Sequence, residues 1–271
     1  MFGGKAWRGR SYNLGKMTFR ELVVAYLTYP AIQVYMLLAL ASVVAAAILI
    51  SKPLLTLAAV AVTVVVYPLV WYVLHRWVLH SRFLYKLPMT AALWKRIHFD
   101  HHQDPYKLEV LFGSLANTLP TIALVTAPVG YLLAGPGGAA AALATGLFCT
   151  CFYEFCHCVQ HLNYKPKYEF LRRMKQAHLL HHFHNEQANF GITNFTWDRL
   201  FGTRFATAKD IARSETVFNL GYDEAEAERY PWVARMTEGA LKQRSRYRES
   251  GANNENDLPL ASGLAVGAGK R

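Results

Sequence analysis

Cysteine is scarce and confined. Cys149, Cys151, Cys156 and Cys158 fall within one ten-residue stretch of an apolar run. The two C-x-C pairs lack the spacing of a zinc ribbon, and so tight a cluster gives no disulfide framework. The four read as small, polarisable packing residues in a membrane helix. Acidic residues are also short: 18 Asp and Glu face 29 Lys and Arg, for a formal charge of +11. Such a balance admits nucleic acid, a membrane surface or an acidic partner. The placement of the charges selects the membrane and leaves no nucleic-acid partner. The first twenty residues lack a secretory-signal layout, because no short apolar core precedes a small-residue cleavage site. Instead Phe2, Trp7, Tyr12 and Phe19 alternate with Lys5, Arg8, Arg10, Lys16 and Arg20. That mixture predicts an interfacial segment.

Apolar residues make up 53% of the chain. They are gathered into runs nearly free of charge, which points to a bilayer. Ala31–Ile50 and Leu54–Leu74 are separated by Ser51-Lys52-Pro53, which predicts a helical hairpin. Leu115–Ala134, containing Pro120 and Pro128, and Ala139–Phe155 flank the turn signal Gly135-Pro136-Gly137-Gly138. Alanine and glycine in the last run permit close helix approach.

Charge placement orients this layout. Five Lys/Arg precede Glu21, six lie in 75–112, 17 follow residue 156, and only Lys52 falls in an outer turn. By the positive-inside rule the 28 others mark the cytoplasmic side. The expectation is an all-α, multi-pass integral membrane protein. It has four transmembrane helices in two hairpins and a cytosolic helical cap that holds a di-metal histidine site. Both termini and the active site face the cytoplasm. The expected divisions are a basic interfacial segment (1–30), a membrane catalytic domain (31–205), a peripheral cytosolic segment (206–249) and a disordered tail (250–271). In the peripheral segment Asp223, Glu224, Glu226 and Glu228 form an acidic face, Tyr230 and Trp232 suit the interface, and Lys242–Arg248 is a basic patch.

Ten of the eleven histidines fall into four clusters: HRWVLH (His75, His80), HFDHH (His98, His101, His102), HCVQH (His157, His161) and HLLHH (His178, His181, His182). Positions i, i+3 and i+4 share a helix face, so each HxxHH aims three imidazoles one way. His75 and His80 are different. Five residues of an ideal helix turn through about 140°, so the pair serves two ions or sits where the helix loosens. Neutral imidazole is the commonest metal ligand. Ten ligands exceed one tetrahedral or octahedral site and suit two ions of about five nitrogens each. With no thiolate in the pattern and few carboxylates near it, zinc, copper, iron and nickel all fit the donors. Iron is the natural choice for oxygen chemistry on an unactivated C–H bond.

In this order, between two hairpins, the clusters resemble the fatty acid hydroxylase/sterol desaturase superfamily of membrane non-haem di-iron enzymes, and within it the fatty acid 2-hydroxylases. The continuation NFGITNFTWDRLFGT, residues 189–203, is similar to that branch's FG-[VI]-T…WD-x-x-FGT tail. The likeness covers residues 30–205. It implies a monooxygenase that hydroxylates a C–H bond of a membrane lipid with O2 as co-substrate and two iron ions, which zinc can replace during purification. The ligands it implies are His75, His80, His98, His101, His102, His157, His161, His178, His181 and His182. Asp100, Asp104, Asn185, Asn189, Asp198 and His184 are candidates to orient them through ring N–H groups. Residues 1–30 are too short for the fused cytochrome b5 domain of some relatives. Electrons would come from a separate ferredoxin, cytochrome b5-like protein or reductase, attracted to the basic face. A lipid or sterol desaturase shares the same chemistry. A metal transporter would line its spans with histidine, and a b-type cytochrome would pair histidines across spans. Clusters at span ends favour neither.

Overall fold

A computed structural model describes residues 12–242. Phe2, Lys5, Trp7, Arg8 and Arg10 of the basic lead lie outside the described residues. So do Arg244–Arg248 of the basic patch and the tail 250–271.

Among the described residues the regular secondary structure is all helical, with one isolated bridge between Asn13 and Lys107 and no strand. Proline starts the first two long helices. Pro30 opens α2 (Pro30–Leu49) and Pro53 opens α3 (Pro53–Val73). Its missing N–H costs nothing in a first turn. Three helices are long and apolar enough to cross a membrane: Pro30–Leu49, Pro53–Leu79 and Leu115–His161. Before them, α1 (Phe19–Leu27) is set by a capping box in which Thr18 and Glu21 satisfy each other's main-chain N–H. The described part of the basic lead is thus partly helical.

The 47-residue helix is broken. Ala134 (φ −139°, ψ 17°) and Gly135 (φ 68°, ψ −154°) leave helical geometry, and Gly135 supplies the left-handed residue the turn needs. We call the limbs α6 (residues 115–133) and α7 (residues 136–161). They fold back on each other. A Cβ added at Gly146 would lie 2.7 Å from Thr126 Cγ2, and one at Gly130 would lie 2.2 Å from the Gly138 carbonyl oxygen. Residues 126 and 146 would be about 30 Å apart along a straight helix. The bend comes one residue before the expected start of the Pro-Gly-Gly turn, and Pro136 already belongs to the second limb.

The buried side of this bundle is small and polar at intervals. Tyr67 Oη lies 2.5 Å from Thr150 Oγ1, Tyr35 Oη hydrogen-bonds with Thr118, and Tyr26 donates to the Cys151 carbonyl at 2.5 Å. The cysteines are free thiols. Cys151 and Cys158 are buried in the main apolar cluster and Cys149 packs half-buried against it, while Cys156 is half-buried. Leu37, Val44, Ile48, Leu54 and Val65 face outward. An apolar exterior of this extent suits lipid.

Beyond the span ends lie α4 (Pro88–Trp94), α5 (Asp100–Gln103), α8 (Glu169–Phe183), α9 (Thr196–Leu200), α10 (Glu224–Arg229) and α11 (Trp232–Arg235). A second apolar cluster of Tyr85, Trp94, Phe99, Tyr222 and Val233 joins α4 to α11. Tyr230 and Trp232 pack, half-buried, against this cluster. Asp223 and Glu226 are structural: Asp223 caps α10, and Glu226 accepts from Tyr85 Oη at 2.7 Å.

Candidate metal centre

The first histidine pair owes its alignment to a change of helix type. After Val73 the chain continues as a π-helix, Leu74–Leu79, and the His80 N–H donates to the His75 carbonyl at 3.2 Å. An i→i+5 bond stacks residues five apart, whereas the α-helix would separate them by about 140°. The His75 and His80 ring centroids lie 5.0 Å apart. His157 and His161 reach 5.3 Å with i, i+4 spacing on the ordinary α-helix of α7. A second π-helix, Lys95–Phe99, leads into α5 and carries His98. Trp94 Nε1–H donates to the Leu79 carbonyl at 2.8 Å, tying the first two histidine segments together. Buried Lys175 does the same for the other two. Its Nζ donates to the carbonyls of Leu162 and Tyr164 just beyond α7, and burial lowers its pKa to about 8.

All ten clustered histidines are buried. They form two main groups. One nitrogen from each of His101, His157, His161, His178 and His182 lies within 4.8 Å of the others, as do those of His75, His80, His98 and His181. His102 forms a third set with His181 and His182 and lies 4.7 Å from His98 by ring centroid. Each HxxHH therefore divides. His101 joins the larger group while His98 joins the smaller; His178 and His182 join the larger while His181 joins the smaller. The common helix face expected for each triplet is real, but it spans two sites.

Main-chain carbonyls fix three of the rings. His75 Nδ1 donates to Phe190 O at 2.7 Å, His181 Nδ1 to Ala188 O at 2.7 Å and His102 Nδ1 to Val217 O at 2.8 Å. A carbonyl only accepts, so each Nδ1 holds the proton and Nε2 carries the lone pair. Those three Nε2 atoms are buried without a hydrogen-bond partner, as are His157 Nε2 and both nitrogens of His101 and His182. Buried polar atoms seldom go unpaired. Convergent lone pairs with no donor are what a metal ion would satisfy, so the residues fit two ions. Burial, reinforced by neighbouring rings, pushes His80, His98, His101, His178, His181 and His182 well below the ordinary 6.5. His102 falls to about 3. The rings are thus held neutral, as metal ligation needs.

The proposed orienting side chains bond elsewhere. Asp100 pairs with Lys95 Nζ at 2.7 Å. Asp104 supplies its main-chain carbonyl to Lys107 N. His184 Nε2 donates to Ile211 O at 2.8 Å, and Asn185 bridges Ala212 O and Gln187 N. Asn189 Oδ1 accepts from Phe205 N at 3.0 Å. Asp198 accepts from the N–H groups of Phe190 and Gly191 and from Thr203. Burial raises its pKa, and those three bonds oppose the rise. For His75, His102 and His181 the ring N–H partners are the main-chain carbonyls of Phe190, Val217 and Ala188. Glu186, which the sequence did not single out, accepts from Thr216 Oγ1 at 2.5 Å beside the Val217 carbonyl.

The sequence model for fatty acid hydroxylases matches residues 60–203, just over half of the 271 residues. The chain belongs to the fatty acid hydroxylase family. The ceramide very long chain fatty acid hydroxylase of Saccharomyces cerevisiae is 33% identical over 149 residues, covering 52% of this chain and 36% of that protein. A dihydroceramide fatty acyl 2-hydroxylase of Arabidopsis thaliana is 31% identical over 150 residues, covering 53% and 59%. The fatty acid 2-hydroxylase of Rattus norvegicus is 30% identical over 146 residues, covering 51% and 37%. This chain thus spans less than two thirds of the length of these relatives. A solved structure described as full-length scs7p, with only the hydroxylase domain visible, superposes with a TM-score of 0.50 at 29% identity, over 79% of this chain and 74% of that one. All four histidine segments lie inside the matched family region.

Proposed function

We propose that this chain hydroxylates a C–H bond in the acyl part of a membrane lipid, using O2 and two iron ions. The observation that carries this is the pair of buried histidine groups whose unpartnered nitrogens converge at the ends of apolar helices, in a chain of this family. In the balanced reaction, C–H and O2 take up two electrons and two protons to give C–OH and water. Iron at these nitrogens would supply the redox chemistry that activates O2. His101, His157, His161, His178 and His182 hold one ion. His75, His80, His98, His102 and His181 hold the other. The protein's own contribution is a rigid, neutral and dry imidazole cage. Its lipid-facing helices let an acyl chain approach from the bilayer.

The same reading takes α2, α3, α6 and α7 as four crossings in two hairpins, with the histidines and both termini in the cytoplasm. Residues 31–205 form the catalytic domain and 206–249 a peripheral segment. The flanks are the interfacial 1–30 and the tail 250–271. A separate ferredoxin, cytochrome b5-like protein or reductase delivers the electrons.

The test is lipid mass spectrometry of membranes with and without the chain, supplied with an electron donor. The expected product gains one oxygen atom. A product that loses two hydrogens instead makes the chain a desaturase. His101→Ala and His181→Ala should each abolish turnover while the protein still inserts in membranes. Wild-type turnover by either variant would overturn the metal assignment.

A further inference from the structure

The loop 188–203 serves the two histidine groups unequally. Ala188 O and Phe190 O receive Nδ1–H from His181 and His75, and both belong to the four-membered group. Between these carbonyls stands Asn189, with a left-handed φ of 56°. That turn lets two carbonyls so near in sequence serve rings from α8 and the π-helix.

The Phe190 peptide is held from beneath by a polar chain that touches no imidazole. Asp198 Oδ1 accepts from Phe190 N at 2.8 Å and Oδ2 from Gly191 N at 2.8 Å. Thr203 Oγ1 donates to Asp198 Oδ1 at 2.8 Å, and Tyr72 Oη lies 2.8 Å from Thr203 Oγ1. Arg76 donates to Tyr72 Oη at 3.0 Å. Asp198 is 1% exposed. A Cβ at residue 191 would fall 2.6 Å from Asp198 Oδ2 and 2.4 Å from the Asn194 carbonyl oxygen, so glycine makes room for the carboxylate. Gly202, at φ 69°, turns the chain so that Thr203 comes back to it. The Thr203 carbonyl then receives the Asn189 N–H at 2.9 Å.

We propose that Asp198 is a positioning residue for one metal site only: through the Phe190 and Gly191 peptides it fixes the carbonyl that holds His75 in its ligating tautomer. This rests on the two-ion reading of the histidines. A carboxylate has only acceptors and meets only donors here, so both oxygens are used. Asparagine keeps the shape but turns an N–H donor towards one of those donors. The five-membered group takes none of its ring bonds from this loop and should not feel the change.

The experiment uses the full chain purified in detergent, loaded with iron or zinc and titrated with a chelator while bound metal is counted. Wild type should hold two ions per chain. In Asp198→Asn one ion should become about 10–100-fold easier to remove, the range for loss of a group supporting a ligand, while the other keeps its wild-type release. Thr203→Val, which removes one donor and keeps the carboxylate, should act in the same direction more weakly. Asp198→Glu should not restore retention, since Gly191 leaves no space for a longer chain. If both ions loosen equally, Asp198 is merely structural. If neither loosens, the coupling through Phe190 is absent. If wild type itself binds no metal, the two-ion reading fails, and with it the basis of the proposal.

Discussion

Neutral imidazoles in mutual contact make the proton the natural competitor of the metal. Burial holds His102 at about 3 against an ordinary 6.5. The unfolded chain therefore binds more protons than the folded one between those values, and stability falls as pH falls. The contribution is fully present above about 6.5 and is lost on acidification towards 3. Metal retention should fall in the same window, because the ligands must stay deprotonated. Thermal unfolding of metal-free protein at graded pH, alongside metal content, checks this. A melting temperature flat from neutrality to about pH 5 would contradict it. At this scale the sequence was half legible. Histidine spacing announced the ligands because imidazole is the donor itself. The carbonyls of Phe190, Ala188 and Val217 were hidden, since every residue has one and only the path of the chain selects it. Asp198 was noticed for its carboxylate, yet its partners proved to be main-chain N–H groups.

Two helix geometries deliver the same result at the level of elements. HCVQH places its rings 5.3 Å apart with i, i+4 spacing, and HRWVLH places them 5.0 Å apart with i, i+5 spacing on a π-helix. The extra residue is tolerated only because the helix widens. Deleting Val78 would give i, i+4 spacing, which an α-helix can align. Adding an alanine after Trp77 would give i, i+6, which neither form aligns. The deletion should retain more metal than the insertion in purified protein, and the reverse order would refute the account. Helix ends at Pro30, Pro53 and Gly135 were readable because proline and glycine act locally. The five-residue spacing left the loosened helix at His75 as one of two readings, whereas nothing local announced the second π-turn, Lys95–Phe99, which answers to a tertiary demand on His98. The packing of Tyr230 and Trp232 against an aromatic cluster was not legible, because an amphipathic ring suits a membrane interface and such a cluster equally well.

For the whole molecule, the prediction concerns sidedness. Lys52 lies in the short connection between α2 and α3, and the histidines lie at the opposite ends of those helices. A Lys52→Cys variant, in a background with the four native cysteines replaced, should react with an impermeant thiol reagent from outside the cell. A Lys209→Cys variant should react only after the membrane is opened. Labelling of both from the same side would rule out the four-crossing arrangement. The expectation rests on charge asymmetry, because the cost of carrying Lys and Arg across a bilayer acts on every residue alike.

The way each HxxHH triplet divides between the two groups has a consequence for biosynthesis. Neither group is complete until the last triplet, His178 to His182, has been made, since both draw on it. The ribosome will have finished the bundle by then, so the helices must enter the membrane and pack with their imidazoles empty. Under the proposed two-iron reading the metal is the last part to arrive, as a seal on a structure already assembled, and a chain cut short before His178 has lost both histidine groups at once.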